Sequence, residues 1–190
     1  MKVLSFTDKK IIEQKNTILN EMVIRDPMTS LLNHENAFKK LNEEIRKANR
    51  IGYPLSIAMV DIDNFKHIND RYGHQAGDDV IVHVANLLVE SCRNTDIICR
   101  YGGEEYMLIL PDTATEEAKH LAERIRMRVE TTEFINGVCV TVSGGISQYR
   151  GESIKELIYR ADQQLYKAKY NGKNQFSAAE GNEDFLGNPT

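Results

Sequence analysis

Acidic residues at the ends of predicted strands are the strongest chemical signal in this sequence. An apolar run, Leu55 to Val60, leads directly into Asp61, and the pair Gly102-Gly103 is followed by Glu104 and Glu105. Two glycines at a hairpin tip permit positive φ angles and let a ligand approach the backbone closely. Carboxylates at such a place are usually paired, protonated or bound to a cation. If the two strands are neighbours, Asp61 and Glu104 face one another.

Two facing carboxylates suit chemistry on a metal-bound phosphate. Mg²⁺ typically takes one or two carboxylates together with substrate phosphates. Two such ions about 3.5–4 Å apart activate an attacking hydroxyl and stabilise a leaving pyrophosphate. The turn after Asp61 also leads into a helix N-terminus, whose amides can bind phosphate oxygens. Other interpretations stay open from these residues alone: Asp61 as a turn residue, Asp63 as a helix cap, and the glycine hairpin as an exposed turn with ordinary surface charge.

Helices and strands must alternate to position these acids. Helical spacing of apolar residues predicts helices over residues 7–24, 35–50, 64–70, 76–91, 115–130 and 153–170. Strands are predicted over residues 55–60, 96–100, 105–110 and 138–148, with a β-hairpin at Gly102-Gly103. This order predicts an α/β (α+β) fold, in which helices flank a central mixed, mainly antiparallel sheet and one further helix precedes it.

Composition excludes several classes of function. The 190 residues carry a formal net charge of -4, so no global basic field favours nucleic acid or an anionic membrane, and a polyanionic ligand needs local cations. Cys92, Cys99 and Cys139 form no CxxC pair and no zinc-binding spacing, which suits a reducing compartment. No apolar run approaches the roughly 20 residues of a membrane span, and the N-terminus does not resemble a signal peptide. We therefore expect a cytoplasmic protein without membrane contact in this chain.

Five ordered segments of the sequence resemble GGDEF-domain diguanylate cyclases. Gly102-Gly103-Glu104-Glu105-Tyr106 looks like the family signature in its GGEE form, with Tyr for the final Phe. The other similar segments are the opening turn at 25–33, the Asp-x-Asp-x-Phe-Lys-x-Ile-Asn-Asp segment at 61–70, its continuation at 72–78, and the C-terminal helix and turn at 161–174. Ser30 departs from the family's usual Gly, which concerns the packing of the opening turn. The resemblance implies a fold related to nucleotidyl cyclases and the polymerase palm.

The resemblance also implies which residues act on the metal and the reacting hydroxyl. Asp61, Glu104 and the backbone carbonyl of Ile62 would ligate Mg²⁺, with Mn²⁺ as an alternative. Glu104 is the family's usual candidate for accepting the 3′-hydroxyl proton. Glu105 lies beside it, and the sequence does not separate the two catalytic roles.

Residues that bind the nucleotide follow in the same way. The resemblance implies substrate contacts at Phe65, Lys66, Asn69, His74, Asp78, Lys169 and Lys173. Asn69 and Asp78 would hydrogen-bond guanine, since a carboxylate accepts from the N1–H and N2–H₂ edge that adenine lacks. Lys169 and Lys173 would contact the triphosphate, although Lys173 replaces a common Arg and loses its bidentate geometry. Alternatives remain open: helix caps for Asn69 and Asp78, a core position for Phe65, and a solvated helix face for the lysines.

A second site is suggested by Arg93-Asn94-Thr95-Asp96, which matches an RxxD pattern. Five residues separate Asp96 from Gly102, which is the spacing of the family's inhibitory product site. There Arg93 would bind phosphate or the guanine face and Asp96 the guanine edge, with Arg124 as an additional contact. This implies feedback inhibition by cyclic di-GMP.

The implied function is a diguanylate cyclase of bacterial signalling, in which two domains each bind one GTP and meet as a homodimer. We expect an N-terminal signalling or dimerisation helix at residues 1–24, the catalytic domain at 25–177, and a flexible tail at 178–190. The alternatives are a catalytically inactive module that binds GTP or cyclic di-GMP, and a purely structural dimerisation domain. The signature acids argue against both.

Overall fold

A five-stranded sheet forms the centre of the computed structural model, which describes residues 24–179. Its strands are β1 (Leu55–Ile62), β2 (Ile97–Arg100), β3 (Glu105–Pro111), β4 (Val142–Gln148) and β5 (Phe176–Ala178). They lie in the order β2-β3-β1-β4-β5. Every neighbouring pair is antiparallel except β4 and β5, which are parallel. This confirms the predicted mixed, mainly antiparallel sheet.

Helices cover both faces of the sheet. They are α1 (His34–Ile51), α2 (Phe65–Tyr72), α3 (His74–Ser91), α4 (Thr115–Thr131) and α5 (Ile154–Tyr170), with a 3₁₀ turn at Ile135–Gly137. One core cluster joins α2, α3 and α4 to the sheet, and a second joins α1 and α5 to its other face. Because both faces are covered, all eight residues of β1 are buried. No helix of residues 24–179 is apolar and long enough to cross a membrane.

Two predicted elements differ from the structure. The strand predicted from residue 138 begins at Val142, because Ile135–Gly137 forms a 3₁₀ turn and the following residues bury Val138 and Val140 without strand pairing. The second difference is β5, which was not predicted as a strand; its last residue, Ala178, was predicted to begin the flexible tail. The amide of Ala179 donates to Ile146 O at 2.9 Å. The sheet therefore includes Ala178. The predicted helix at residues 7–24, except for its last residue, and the tail at 180–190 lie outside the described residues.

Helix α5 lies unusually close to the sheet, and this closeness positions the end of the helix. A Cβ on Gly145 of β4 would come within 2.0 Å of Ala161 O and 2.2 Å of Leu165 N. Only glycine leaves room for such an approach. The helix starts with a capping box, in which Ser153 and Glu156 bond reciprocally. It then runs along β4 and β1 toward the end of β1.

Candidate active site

The acids predicted from the sequence meet where β1 ends. Asp61 is only 5% exposed, although it is ionisable. Across the sheet it pairs in register with Glu105, while the amide of Ile62 donates to the carbonyl of Glu104 at 3.3 Å. The residue directly opposite Asp61 is therefore Glu105, and not Glu104 as the sequence predicted. Both glutamates nevertheless lie close enough to influence Asp61 electrostatically.

A lysine compensates the buried charge of Asp61. Lys169, near the end of α5, places its Nζ 2.7 Å from Asp61 Oδ2. Burial nevertheless raises the pKa of Asp61 to about 6; the bond and charge of Lys169 lower it, and Glu105 and Glu104 raise it further. Asp162 lies seven residues before Lys169 in the same helix. Its pKa is also raised, by burial and by the charge of Glu105. The site thus holds more negative than positive charge around one buried carboxylate.

This arrangement fits a divalent cation that is completed by a substrate. Among residues 24–179 no group of three or more His, Cys, Asp or Glu side chains is arranged to hold a metal alone. Mg²⁺ does not need such a group, because it is commonly bound through one or two carboxylates plus phosphates and water. The ligands predicted from the sequence, Asp61, Glu104 and the Ile62 carbonyl, would form such a smaller set. Burial is the main cause of the raised pKa of Asp61, and Lys169 offsets it only in part, so a bound cation would stabilise the ionised carboxylate further.

Asp63, the residue that directly follows β1, has a structural role that the sequence did not reveal. Asp63 is 4% exposed and accepts hydrogen bonds from Thr141 Oγ1 at 2.8 Å, Ser143 Oγ at 2.7 Å and the Asn174 amide at 3.0 Å. It does not cap α2. The cap position belongs to Asn64, which adopts a left-handed conformation with φ 55° and forms no capping bond. Asp63 therefore joins β1, β4 and the turn after α5.

The turn after α5 brings the second predicted lysine to the same place. Lys173 has φ 64°, and its ammonium group bonds to Asn64 Oδ1. The next residue, Asn174, donates from Nδ2 to Glu130 Oε1 at 2.7 Å and accepts from Arg126 NH1 at 3.1 Å. Lys169 contacts Asp61 near the end of β1, and Lys173 contacts Asn64 just before α2. Both cations therefore lie around the turn that joins β1 to α2. This is the local positive charge that a polyanionic ligand requires.

The predicted base-binding residues lie on two helices that pack against each other. Phe65 and Asn69 belong to α2, and His74 and Asp78 to the start of α3. Asn69 Oδ1 is buried and accepts no hydrogen bond within the described residues. Phe65 packs partly against the core cluster, as the alternative interpretation expected. The remaining predicted contacts are exposed: Lys66, His74 and Asp78.

An arginine before the glycine hairpin holds the hairpin to the opening turn. Arg100 donates to both carboxylate oxygens of Asp26 at 3.1 Å, to Gly102 O at 3.2 Å, and to Gly103 O at 3.1 and 2.7 Å. The opening turn is itself tight, with Ser30 at φ 60° where the family usually has Gly. Sequence reasoning did not single out Arg100, although its position next to the hairpin was visible.

The predicted product-site residues also come together on one surface. Asp96 Oδ2 accepts from the Arg93 amide at 2.7 Å, which closes the turn between α3 and β2. Arg124, on α4, donates to Ser91 O at 2.7 Å, just before that turn. The other oxygen, Asp96 Oδ1, is buried and has no partner among the residues described. Arg93 and Arg124 are both exposed.

Comparisons with known proteins agree with these features. The family model described as "Diguanylate cyclase, GGDEF domain" matches residues 23–175. The chain is 40% identical over 196 residues to "Diguanylate cyclase A" of Treponema denticola, covering 93% of this chain and 53% of that protein. It is 40% identical over 161 residues to "Response regulator PleD" of Caulobacter vibrioides, covering 81% of this chain and 36% of that protein. The chain therefore spans about half or less of these two relatives.

Solved structures show the same fold. The coiled coil and GGDEF domain of DgcB from Caulobacter crescentus, in complex with c-di-GMP, matches with TM-score 0.87 and 29% identity over 91% of this chain and 94% of that one. Diguanylate cyclase SiaD from Pseudomonas aeruginosa, in complex with its activator SiaC, matches with TM-score 0.81 and 36% identity over 90% of this chain and 67% of that one.

Proposed function

Because this chain belongs to the GGDEF family, we propose that it is a diguanylate cyclase that condenses two GTP molecules into cyclic di-GMP and two pyrophosphates. The observation that carries the proposal is the convergence of acids and lysines at the end of β1. Asp61 lies opposite Glu105, and Lys169 and Lys173 reach the same segment. This combination suits a nucleoside triphosphate and its counter-cation.

The acids would hold the metal and receive the proton. Asp61, Glu104 and the Ile62 carbonyl are the proposed ligands of Mg²⁺, or of Mn²⁺ as the alternative. The bound cation would acidify the attacking hydroxyl and neutralise charge that develops on the α-phosphate. Glu104 or Glu105 accepts the 3′-hydroxyl proton. The new bond joins the 3′-oxygen to the α-phosphorus, and the bond to pyrophosphate breaks.

The remaining residues bind and orient GTP. Lys169 and Lys173 neutralise the triphosphate, while Asn69 and Asp78 recognise guanine through its N1–H and N2–H₂ edge. Phe65, Lys66 and His74 complete the proposed substrate contacts. Catalysis then depends mainly on positioning and electrostatics, because the residues near the reacting groups are held by the sheet.

Two GTP molecules require two copies of the domain. One chain supplies one such set of acids and lysines among its described residues, so we propose a homodimer whose sites face each other. Each 3′-hydroxyl then attacks the α-phosphate bound to the other copy. If this is correct, specific activity rises with protein concentration until dimerisation saturates.

Product analysis tests the activity directly. The protein is incubated at high concentration with GTP and Mg²⁺, and cyclic di-GMP and pyrophosphate are measured. Glu104→Ala is expected to reduce product by about 100-fold or more, since it removes charge stabilisation at the reacting centre. Glu116→Ala, an exposed acid on α4, is the matched control and should retain activity. Nucleotide binding without product would favour the inactive binding module, and product that survives Glu104→Ala would contradict the assigned site.

We also propose that Arg93, Asp96 and Arg124 form a site at which cyclic di-GMP inhibits the enzyme. The support is their shared surface and the buried Oδ1 of Asp96, which accepts no hydrogen bond from residues 24–179. Arg93→Ala is expected to raise the product concentration for half inhibition by about tenfold, because a charged hydrogen bond is lost. Initial rates without added product should stay unchanged, and Arg46→Ala on α1 serves as an exposed control. Unaltered inhibition in Arg93→Ala would eliminate this site.

Asn174 should matter for GTP affinity because it holds the turn of Lys173. Asn174→Ala removes its bonds to Glu130 and Arg126. We expect the KM for GTP to rise about 3- to 10-fold with a smaller change in kcat, together with about 1 kcal/mol of lost stability. Steady-state kinetics and thermal unfolding measure the two effects. Asn171→Ala, an exposed position in the same turn, should change neither; equal effects of the two variants would refute this role.

A further inference from the structure

Asn69 and Gly77 touch where α2 packs against α3. A Cβ on Gly77 would lie 1.9 Å from Asn69 Oδ1, 3.0 Å from Asn69 Cγ and 3.1 Å from Phe65 Cζ. The first distance is far below any van der Waals contact. The side-chain amide of Asn69 therefore occupies the volume that a residue larger than glycine would need.

The backbone gives no separate reason for glycine at this position. Gly77 is the fourth residue of α3, its amide donates to Gly73 O at 3.2 Å, and its φ is not positive. In a helix, glycine is less favourable than alanine because it loses more backbone conformational freedom on folding. Helix stability alone would thus favour a side chain at position 77. The contact with Asn69 is the feature that requires its absence.

The amide that Gly77 accommodates also has an unused acceptor. Asn69 Oδ1 is buried and has no hydrogen-bond partner within residues 24–179. Leaving a buried acceptor without a donor is unfavourable, so this oxygen points to a donor that arrives with a ligand. Asp78, the exposed residue that follows Gly77 in α3, is the second base-binding residue of the proposed function. Guanine offers two adjacent kinds of donor, N1–H and the 2-amino group.

We propose that Gly77 is a positioning residue for base recognition. By lacking a side chain, it lets the Asn69 carboxamide stay between α2 and α3, where the oxygen accepts from the 2-amino group of guanine. This inference rests on the proposed function for the identity of the nucleotide. It adds that discrimination for the 2-amino group depends on the space at position 77 as well as on Asn69.

Binding of GDP and inosine diphosphate tests the proposal without turnover. Inosine diphosphate lacks only the 2-amino group of the base. Isothermal titration calorimetry with Mg²⁺ should show that the unmodified protein binds GDP about tenfold more tightly, as expected for one hydrogen bond. Gly77→Ala should abolish this preference by weakening GDP binding, with inosine diphosphate affected by less than about twofold. Asp79→Ala, an exposed neighbour in α3, is the control that should keep the preference.

A double-mutant cycle separates positioning from a general packing defect. In Asn69→Ala the shortened side chain removes the 1.9 Å clash with a Cβ at position 77, and the remaining neighbour, Phe65 Cζ at 3.1 Å, needs to shift by only a few tenths of an ångström. Gly77→Ala should then have no further effect, so that the double variant and Asn69→Ala bind both nucleotides equally. If Gly77→Ala alone is unfolded in thermal denaturation, the double variant is expected to restore folding.

Three results would overturn the proposal: an unmodified protein without preference for GDP, a Gly77→Ala variant that keeps the preference, or a Gly77→Ala effect that persists in the Asn69→Ala background. Failure of the cyclase activity is distinguishable from these results. A protein that prefers GDP but forms no cyclic di-GMP would contradict the proposed reaction and leave the role of Gly77 standing.

Discussion

Asp61→Asn is expected to abolish cyclic di-GMP formation and, at the same time, to raise the thermal stability of the protein at pH 8. The loss of activity should be about 100-fold or more, because the substitution removes a carboxylate from the reacting centre. The gain in stability follows from the burial of that carboxylate, which is 5% exposed. Activity and stability should thus change in opposite directions at one residue.

The sign of the stability change follows from the pKa of Asp61. Burial raises this pKa from 3.8 to about 6 in the folded protein. The folded state therefore binds the proton more tightly than the unfolded chain, and the ionised carboxylate destabilises the fold. This cost is fully present above pH 6 and disappears below the unfolded value of 3.8. Asp61→Asn removes it and should stabilise the fold by about 1–3 kcal/mol at pH 8, with no gain near pH 4.

Asp63→Asn is the matched control for this prediction. Asp63 is equally buried and lies two residues further along, but its oxygens accept three hydrogen bonds. Loss of these charge-assisted bonds should destabilise the fold by about 1–2 kcal/mol. Thermal unfolding is measured without nucleotide or Mg²⁺, so that ligand binding does not stabilise one variant selectively. A loss of stability in Asp61→Asn at pH 8 would show that the Lys169 contact outweighs the cost of burial.

Arg100→Ala should produce the second large effect, on both stability and activity. Arg100 and Asp26 are 14% and 16% exposed, and the guanidinium also donates to the carbonyls of Gly102 and Gly103. Removal of the arginine leaves two carbonyls without this donor and a mostly buried carboxylate without its counter-charge, although Thr29 still donates two hydrogen bonds to Asp26 Oδ1. We expect the free energy of unfolding to fall by about 2–4 kcal/mol, which is similar to or smaller than the loss on breaking a fully buried ion pair. Product formation should fall by about 10-fold or more, because the hairpin that carries Glu104 is no longer held.

Two further variants test whether this effect belongs to the Arg100–Asp26 pair. Arg25 is an exposed arginine whose side chain donates a hydrogen bond to Ser30 O. Arg25→Ala should change the free energy of unfolding by less than about 0.5 kcal/mol. The double variant Asp26→Ala/Arg100→Ala should lose less free energy of unfolding than the two single variants lose together, since the two side chains interact with each other. Strict additivity in denaturant unfolding would mean that the two residues act independently.

Much of the fold was predictable because its signals are local. The apolar run that forms β1, the paired glycines between β2 and β3, and the helical spacing of α1, α3, α4 and α5 are all visible in the sequence. The errors occurred where the pattern was short or ambiguous. β5 has only three residues, all half-buried, and its pairing with β4 depends on the turn after α5. Alternating valines at positions 138, 140 and 142 suggested an early start for β4, but of these only Val142 lies in the strand.

The candidate site was partly predictable for a related reason. Asp61, Glu104 and Glu105 stand out because acids beside buried strands and glycine turns are costly without a function. Lys169 and Lys173 were indicated by resemblance, but their partners Asp61 and Asn64 lie far away in the chain. The partners that give Asp63 its structural role, Thr141, Ser143 and Asn174, were not visible, because they lie far along the chain. Two similar acids in one segment differ only in what the sheet and the turn place around them.

The sequence by itself therefore determined the types of chemistry and the elements that carry them: acids after β1 and in the glycine hairpin, cations after α5, and helices alternating with strands. Tertiary structure alone decided which groups meet. It placed Glu105 rather than Glu104 opposite Asp61, joined Arg100 to Asp26, and set Gly77 against Asn69. The physical reason is that backbone propensity and hydrophobic period act over a few residues, whereas burial, hydrogen-bond partners and pKa depend on segments brought together by packing.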